Sequence, residues 1–269
     1  MAAVEVSEDD IRSGLEALGV GRGDTVLVHS SLSSFGHVEG GAGAVIDALA
    51  AAVGTDGTVA VPTHTWHSIC ADNPVFDVRE MPSEVGRITE VFRRRPRALR
   101  SLHPTHSCAA LGPRAEVLLR DHEKDITPCG PRSPYQRIIR WGGKLVFLGV
   151  TLFVNTSFHA LEEMACVPWA FNRFELLYTI DYEGKKRPVP SRRHTNGLRR
   201  AFEELEPVLA EGGALQKGRI GEADIRVVRA DRMATVLLPM LAEDPFLFLA
   251  PGGAALERER YERWRHGGK

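Results

Sequence analysis

Long apolar segments are missing from this sequence, and so is any marked excess of one charge. No hydrophobic run approaches the roughly 20 residues that a membrane-spanning helix requires, and the N-terminal stretch is acidic, unlike the start of a secretion signal. Lys and Arg number 34 against 35 Asp and Glu, so the formal net charge of -1 indicates no polyanionic partner. We therefore expect a cytoplasmic protein that binds neither membranes nor nucleic acids.

Cysteine is scarce, and several signatures of nucleotide binding and hydrolysis are absent. The 4 cysteines lie far apart and include no Cys-x-x-Cys pair, which argues against a disulfide framework or a zinc knuckle. The sequence contains no Walker A loop, no G-x-G-x-x-G, no G-x-S-x-G and no His-Glu-x-x-His. These absences leave nucleotide binding, serine hydrolysis and zinc proteolysis without specific support.

The patterns that are present indicate an α/β fold. With 269 residues, of which 43% are hydrophobic, the chain can bury a large core, and we expect one domain over residues 1–269. Short β-branched runs at residues 24–29, 58–62 and 144–150 predict buried strands, with helical periodicity between and after them. We predict a three-layer αβα fold with a mostly parallel central sheet and a small antiparallel and helical subregion at about residues 170–230.

A histidine and a glutamate follow the strand predicted at residues 144–150. His159 and Glu162 lie three residues apart on a helix predicted to begin near residue 156, which puts both side chains on one face. A carboxylate in that position holds an imidazole in one tautomer and stabilises its protonated form. The same spacing is also common in surface pairs and around structural histidines. His159 and Glu162 are therefore candidate catalytic residues whose role depends on their neighbours.

A serine-rich loop separates the strand at residues 24–29 from the following helix. Its hydroxyls, backbone N–H groups and terminal glycine offer a cradle for a pyrophosphate or for the amides of a pantetheine arm. A polar strand-to-helix connection capped by serines has the same composition. The candidate cofactor-binding residues of this loop are His29, Ser30, Ser31, Leu32, Ser33, Ser34, Phe35 and Gly36.

Further histidines and acids leave two other interpretations open. His64 and His67, and likewise His103 and His106, lie three apart, and with His159 they could form the metal centre of a hydrolase. Pro104 interrupts the second pair, which argues against a shared helical face. The acids Asp72, Asp77 and Glu80 lie on a long loop predicted over residues 63–84, where they would attract a polycationic ligand or simply be solvated.

Several segments in succession resemble the aminoglycoside 3-N-acetyltransferases, an antibiotic acetyltransferase family distinct from the GNAT fold. The similarity runs almost the full length of the chain and extends to the apramycin-acetylating subgroup through VNTSFHALEEMACVPWAFNR and DPFLFL. The segments that carry it are LVHSSLSSFG, GGAGAVIDAL, GTDGTVAVPTHT, RSLHPTHSCAALGPRAE, SPYQRI, GGKLVFLGVTLFVNTSFHALE and QKGRIGEADIRVVRA.

This resemblance implies an acetyl-CoA donor and the 3-amino group of a 2-deoxystreptamine ring as acceptor, with no metal. His159 would be the general base and Glu162 would orient it. The loop from Ser30 to Gly36 would receive the CoA, with His103 and Ser107 near the thioester, and Asp72 would hold a substrate ammonium group. We allow for a homodimer.

One segment departs from the pattern that many family members show. Where they carry an Asp-Thr-Ser run, this chain has Arg192, Arg193, His194, Thr195 and Asn196. Two arginines suit a polycationic antibiotic poorly, whereas His194 could bind substrate in place of the missing carboxylate. The alternatives to an acetyltransferase are the metal-dependent hydrolase described above and a CoA-binding protein without catalysis.

Overall fold

The computed structural model describes residues 5–265 of the chain. Its strands are β1 (Glu5–Val6), β2 (Thr25–Ser30), β3 (His37–Val38), β4 (Thr58–Pro62), β5 (Val75–Asp77), β6 (Leu99–Arg100), β7 (Cys108–Leu111), β8 (Lys144–Leu148), β9 (Phe171–Ile180), β10 (Lys186–His194), β11 (Leu215–Ile220) and β12 (Ala223–Arg229). Its α-helices are α1 (Glu8–Ala17), α2 (Gly41–Val53), α3 (Arg87–Arg93), α4 (Ala115–Leu119), α5 (Pro134–Arg140), α6 (Thr156–Met164), α7 (Glu206–Glu211), α8 (Ala230–Glu243) and α9 (Pro251–Arg265).

The largest sheet of the described residues has the strand order β11-β12-β8-β2-β4-β7-β6. The central strands β8, β2 and β4 are parallel, and antiparallel strands extend the sheet on both sides. Because parallel strands end on the same side of a sheet, the carboxyl ends of β2, β4 and β8 lie together.

Alternation of apolar side chains along these strands produces two separate cores. Val26 and Val28 of β2 pack toward α1 and α2, whereas Leu27 between them packs toward α5, α6 and α8. Each fully buried aliphatic side chain of this kind stabilises the fold by about 1.5–3 kcal/mol. The sheet is therefore covered on both faces, and the predicted three-layer fold is confirmed.

A second, smaller sheet covers one side of the site. Strands β9 and β10 form an antiparallel hairpin, and β5 adds to β9 in parallel. The hairpin confirms the predicted antiparallel subregion. The loop predicted over residues 63–84 contains β5, which sequence periodicity missed because the strand has only 3 residues and owes its pairing to β9.

The last element of the described chain is a solvated helix. Residues 251–265 form α9, which has no buried residue among those described. Residues 1–4 and 266–269 lie outside the described part of the chain. Within residues 5–265, no helix has both the length and the apolar character needed to cross a bilayer.

Candidate active site

A cleft of ≈ 530 Å³ opens at the carboxyl ends of the parallel strands. Ser30 at the end of β2 and Pro62 at the end of β4 line its floor, and residues from α6, β10 and the segment after β10 line its walls. This is the position at which open α/β sheets bind their ligands. The imidazoles in its lining belong to His29, His64, His106, His159 and His194.

His159 lies in the first part of α6, directly beside the cleft. Asn155 caps this helix by accepting a hydrogen bond from the backbone N–H of Ser157 at 3.0 Å. One helical turn places Nδ1 of His159 2.7 Å from Oε2 of Glu162. A carboxylate only accepts, so Nδ1 carries the hydrogen and Nε2 keeps its lone pair. The His159 side chain is 22% exposed, which lets a ligand in the cleft reach it.

Burial and charge together set the protonation of this pair. Burial lowers the pKa of His159, although the negative charge of Glu162 opposes that effect. Burial alone would raise the pKa of Glu162, but its contacts with His159 and Arg200 outweigh burial and lower it. The pair is therefore a carboxylate beside a neutral imidazole near pH 7, which is the state that a general base requires.

Arg200 completes the surroundings of Glu162, and sequence reasoning missed it. Its Nε donates to Oε1 of Glu162 at 3.2 Å, and its other nitrogens donate to the carbonyls of Leu198 and Thr195. The guanidinium also lies 4.7 Å from the ring centroid of Trp169. One buried cation thus connects the carboxylate to the segment that lines the cleft. Arg200 and Glu162 are separated by 38 positions in the sequence, so no local sequence pattern predicts this contact.

His194 forms a second histidine–glutamate pair next to the first. A register shift between Arg193 and His194 at the end of β10 sets the orientation of the histidine. Its Nε2 donates to Oε1 of Glu163 at 2.8 Å, and its ring stacks on that of His159 with a centroid distance of 4.5 Å. Nδ1 of His194 is buried and has no partner within residues 5–265. His194 therefore packs against the His159 pair and lines the cleft.

Only part of the predicted cofactor loop reaches the cleft. His29 and Ser30 line it, and Nε2 of His29 and Oγ of Ser30 have no hydrogen-bond partner among the described residues. Ser31, Leu32, Ser33, Ser34 and Gly36 lie outside the lining, and Phe35 is fully buried in the core.

The serines after Ser30 are used internally. Oγ of Ser34 lies 2.9 Å from both Oγ of Ser31 and the carbonyl oxygen of Gly149, and Oγ of Ser31 lies 3.3 Å from Oγ of Ser33. Gly149 has φ +65°, and a Cβ there would lie 2.2 Å from Cβ of Ser34, so the loop needs glycine at the end of β8. These contacts hold the loop closely against the sheet.

The remaining predicted site residues lie at some distance from the cleft. His103 and Ser107 are fully buried beneath it, where Oγ of Ser107 donates to the carbonyl of Thr63 at 2.7 Å. Asp72 is exposed on its loop and does not line the cleft. No Asp or Glu of the described residues belongs to the lining, and both arginines in it are engaged by other groups. Arg193 lies 3.5 Å from a Glu175 oxygen and donates to the carbonyls of Ile69 and Trp66.

The histidines proposed for a metal centre do not converge. His64, His106 and His159 line the cleft, but His103 is buried below it and His67 stacks on Trp66. Among residues 5–265, a different group brings three ligand atoms within 4.8 Å of one another, namely Cys129, Glu163 and His194. Oε1 of Glu163 already accepts hydrogen bonds from the backbone N–H of Cys129 and from His194. Glu163 thus receives hydrogen bonds from both of the other members of the group.

Comparison with known proteins identifies the family. A family model described as aminoglycoside 3-N-acetyltransferase matches residues 27–242. The chain belongs to this family. It is 34% identical to aminoglycoside N(3)-acetyltransferase IV of Salmonella sp over 90% of each chain, and 32% identical to the type VII enzyme of Streptomyces paromomycinus over 92% of this chain and 96% of that one.

Solved structures agree with this assignment. A mutant of the acetyltransferase AAC(3)-IVa in complex with gentamicin superposes with a TM-score of 0.82 and 31% identity, covering 95% of both chains. A binary complex of AAC-IIIb with CoASH gives a TM-score of 0.78 at 25% identity and covers 89% of this chain and 97% of that one. The predicted family and the predicted enzyme class, an aminoglycoside N(3)-acetyltransferase, are confirmed, and the type IV relatives are consistent with the predicted resemblance to the apramycin-acetylating subgroup.

Proposed function

We propose that this acetyltransferase moves the acetyl group of acetyl-CoA to the 3-amino group of an aminoglycoside, with His159 as the general base. The observation that carries the proposal is the bond between Nδ1 of His159 and Glu162, which leaves Nε2 as a neutral acceptor beside the cleft. The complexes of related enzymes with gentamicin, apramycin and CoASH support the choice of substrates.

In the proposed reaction His159 first accepts a proton and later donates it. Nε2 takes a proton from the substrate ammonium, and the neutral amine that results attacks the thioester carbonyl carbon. The carbon–sulfur bond breaks with its electron pair on sulfur, and His159 returns its proton to the departing thiolate. The new amide nitrogen releases its second proton to solvent. Glu162 stabilises the imidazolium between these steps, and Arg200 keeps Glu162 ionised and in position.

The unpartnered atoms at the base of the predicted loop support a role in donor binding. Nε2 of His29 and Oγ of Ser30 are polar, buried and without a partner within residues 5–265, so a bound group could satisfy them. We propose that the CoA arm passes these two residues and that Ser31 to Gly36 act by holding the loop. His103 and Ser107 would support the floor from below. Asp72 would contact an acceptor only at its periphery.

The wider assignments belong to the same proposal. The proposed mechanism uses no metal, because proton transfer by His159 and its positioning by Glu162 and Arg200 account for each step. We also propose that the chain acts as one domain in the cytoplasm, without nucleic acid or membrane partners. A homodimer is compatible with the proposal but is not required by it.

The experiment is a thiol-release assay with acetyl-CoA and a panel of aminoglycosides that includes apramycin and gentamicin. We expect turnover with at least one of them and a product acetylated at the 3-amino group by NMR. Binding of CoA without turnover on any amine would instead indicate a CoA-binding protein. About one equivalent of tightly held zinc, with activity lost on chelation, would favour the metal-dependent hydrolase.

A further inference from the structure

His64 occupies the wall of the cleft beside His106, and the proposed reaction does not use it. The residue is 6% exposed, and its ring centroid lies 4.7 Å from that of His106. Its Nε2 lies 2.8 Å from the hydroxyl of Tyr135, which also donates to the carbonyl of His106 at 3.1 Å. A phenol has one hydrogen to donate, so both contacts are hydrogen bonds only if Nε2 of His64 carries a hydrogen. Nδ1 of His64 is then an acceptor.

This Nδ1 atom is free to accept a hydrogen bond from a ligand. It makes no hydrogen bond to any residue in the described part of the chain, and it is not among the fully buried atoms without a partner. Since His64 belongs to the cleft lining, a ligand in the cleft can reach the exposed part of its ring. Tyr135, which is fully buried, fixes the tautomer from behind.

The composition of the cleft lining indicates which ligand groups Nδ1 of His64 could bind. An aminoglycoside presents ammonium and hydroxyl donors, yet the described lining contains no carboxylate to receive them. Burial and the neighbouring His29 and His159 lower the pKa of His64 well below its ordinary value, so the ring stays neutral and does not repel a cation. A neutral imidazole accepts from an ammonium or a hydroxyl group alike.

We propose that Nδ1 of His64 binds the acceptor substrate by accepting a hydrogen bond from one of its ammonium or hydroxyl groups. The proposal rests on the proposed function, because it takes the aminoglycoside as the occupant of this wall. Tyr135 acts as a positioning residue that keeps His64 in the accepting tautomer. His64 is thus a residue that determines acceptor affinity, separate from the base His159.

Two substitutions of His64 distinguish the roles of its two ring nitrogens, Nδ1 and Nε2. In His64→Asn the amide oxygen takes the place of Nδ1, whereas in His64→Gln the amide nitrogen takes the place of Nε2 and no acceptor remains near Nδ1. We expect His64→Gln to raise KM for the aminoglycoside by about tenfold or more, and His64→Asn to raise it much less. KM for acetyl-CoA should change less than about twofold in both, and the exposed His37→Gln serves as a control.

NMR of protein labelled with ¹⁵N in histidine tests the same idea without turnover. Before addition of ligand, His64 should show the Nε2–H tautomer, assigned by its loss in His64→Gln. Apramycin or gentamicin should then shift the Nδ1 resonance of His64, and CoA alone should not. The tautomer should be lost in Tyr135→Phe, with a rise in KM for the aminoglycoside.

The two proposals fail in different ways. If the wild-type protein acetylates no aminoglycoside, the proposed function fails whatever His64 does. If it does acetylate one, the proposal for His64 is overturned by equal acceptor KM values for the wild type and His64→Gln. A shift of Nδ1 caused by CoA alone would likewise overturn it and assign His64 to the donor.

Discussion

Two histidine–glutamate pairs lie side by side in the site, yet their surroundings differ. Two adjacent carboxylates on α6 accept hydrogen bonds from the two imidazoles. Oε2 of Glu162 lies 2.7 Å from Nδ1 of His159, and Oε1 of Glu163 lies 2.8 Å from Nε2 of His194. The free nitrogen of His159 belongs to a side chain that is 22% exposed, whereas the free nitrogen of His194 is buried without a partner in the described residues. Similar bonds therefore do not imply similar chemistry, because only His159 is accessible to a substrate proton.

The carboxylates differ as well. Glu162 is fully buried and pairs with the guanidinium of Arg200, whereas Oε1 of Glu163 accepts hydrogen bonds from the backbone N–H of Cys129 and from the ring of His194. Charge-assisted hydrogen bonds are about twice as strong as neutral ones. Among residues 5–265, a guanidinium therefore hydrogen-bonds to the first pair and not to the second.

Replacing each histidine by alanine gives the largest expected contrast. His159→Ala removes the general base, so we expect acetyl transfer to fall by about 10²–10⁴ while acetyl-CoA binding persists. His194→Ala removes a packing partner and should lower kcat by less than about tenfold. Steady-state kinetics and calorimetric titration with acetyl-CoA measure the two effects. Full activity of His159→Ala would refute the assignment of the base.

Replacing Glu162 or Glu163 by glutamine compares what the two pairs contribute to the free energy of unfolding. Glu162→Gln leaves Arg200 buried without its counter-ion, and breaking a buried ion pair in this way costs about 3–5 kcal/mol. Glu163→Gln keeps an oxygen that accepts from both of its donors, so a loss of at most about 1 kcal/mol is expected. Urea denaturation of both variants measures the difference. Equal losses would mean that the two pairs are energetically alike.

Substitution of Arg200 tests the electrostatic part of the comparison. Burial lowers the pKa of His159, Glu162 opposes this, and the positive charge of Arg200 adds to the lowering. Arg200→Gln should therefore raise the pKa of His159 and move the acid limb of kcat/KM to higher pH. The exposed neighbour Arg199 offers a matched control in Arg199→Gln, which should leave the profile in place. An unchanged limb in Arg200→Gln would show that Arg200 acts only on structure.

Local contacts of this protein were accessible from the sequence because their partners lie within one helical turn. At the start of α1, Ser7 and Asp10 form a capping box in which each side chain accepts the backbone N–H of the other residue. The three-residue spacing of His159 and Glu162 likewise predicted that they would lie on one face of a helix. Short β-branched runs predicted the central strands of the buried sheet.

Contacts between distant segments could not be predicted in this way. Glu162 meets Arg200 38 residues away, and His64 meets Tyr135 71 residues away, because β10, α5 and α6 pack around the same cleft. The charge of Asp72 suggested that it binds a substrate ammonium group. Charge alone does not determine where a side chain lies in the fold, and the loop places Asp72 outside the cleft lining. The serines after Ser30 suggested a ligand cradle by composition, although several of them bond to one another.

Substitution of Cys129 is expected to have the smallest effect on stability and activity. It tests whether the second pair, His194 and Glu163, is held by hydrogen bonds or belongs to a metal site. Glu163 receives the backbone N–H of Cys129, which any residue other than proline supplies, and burial raises the pKa of the thiol well above its ordinary value. The sulfur is thus a neutral, packed atom near pH 7, so Cys129→Ala should cost about 1 kcal/mol of stability and leave acetyl transfer within twofold of the wild type. Zinc content by mass spectrometry, measured together with the kinetics, completes the test. One equivalent of zinc in the wild type that disappears in Cys129→Ala would make the second pair a metal site.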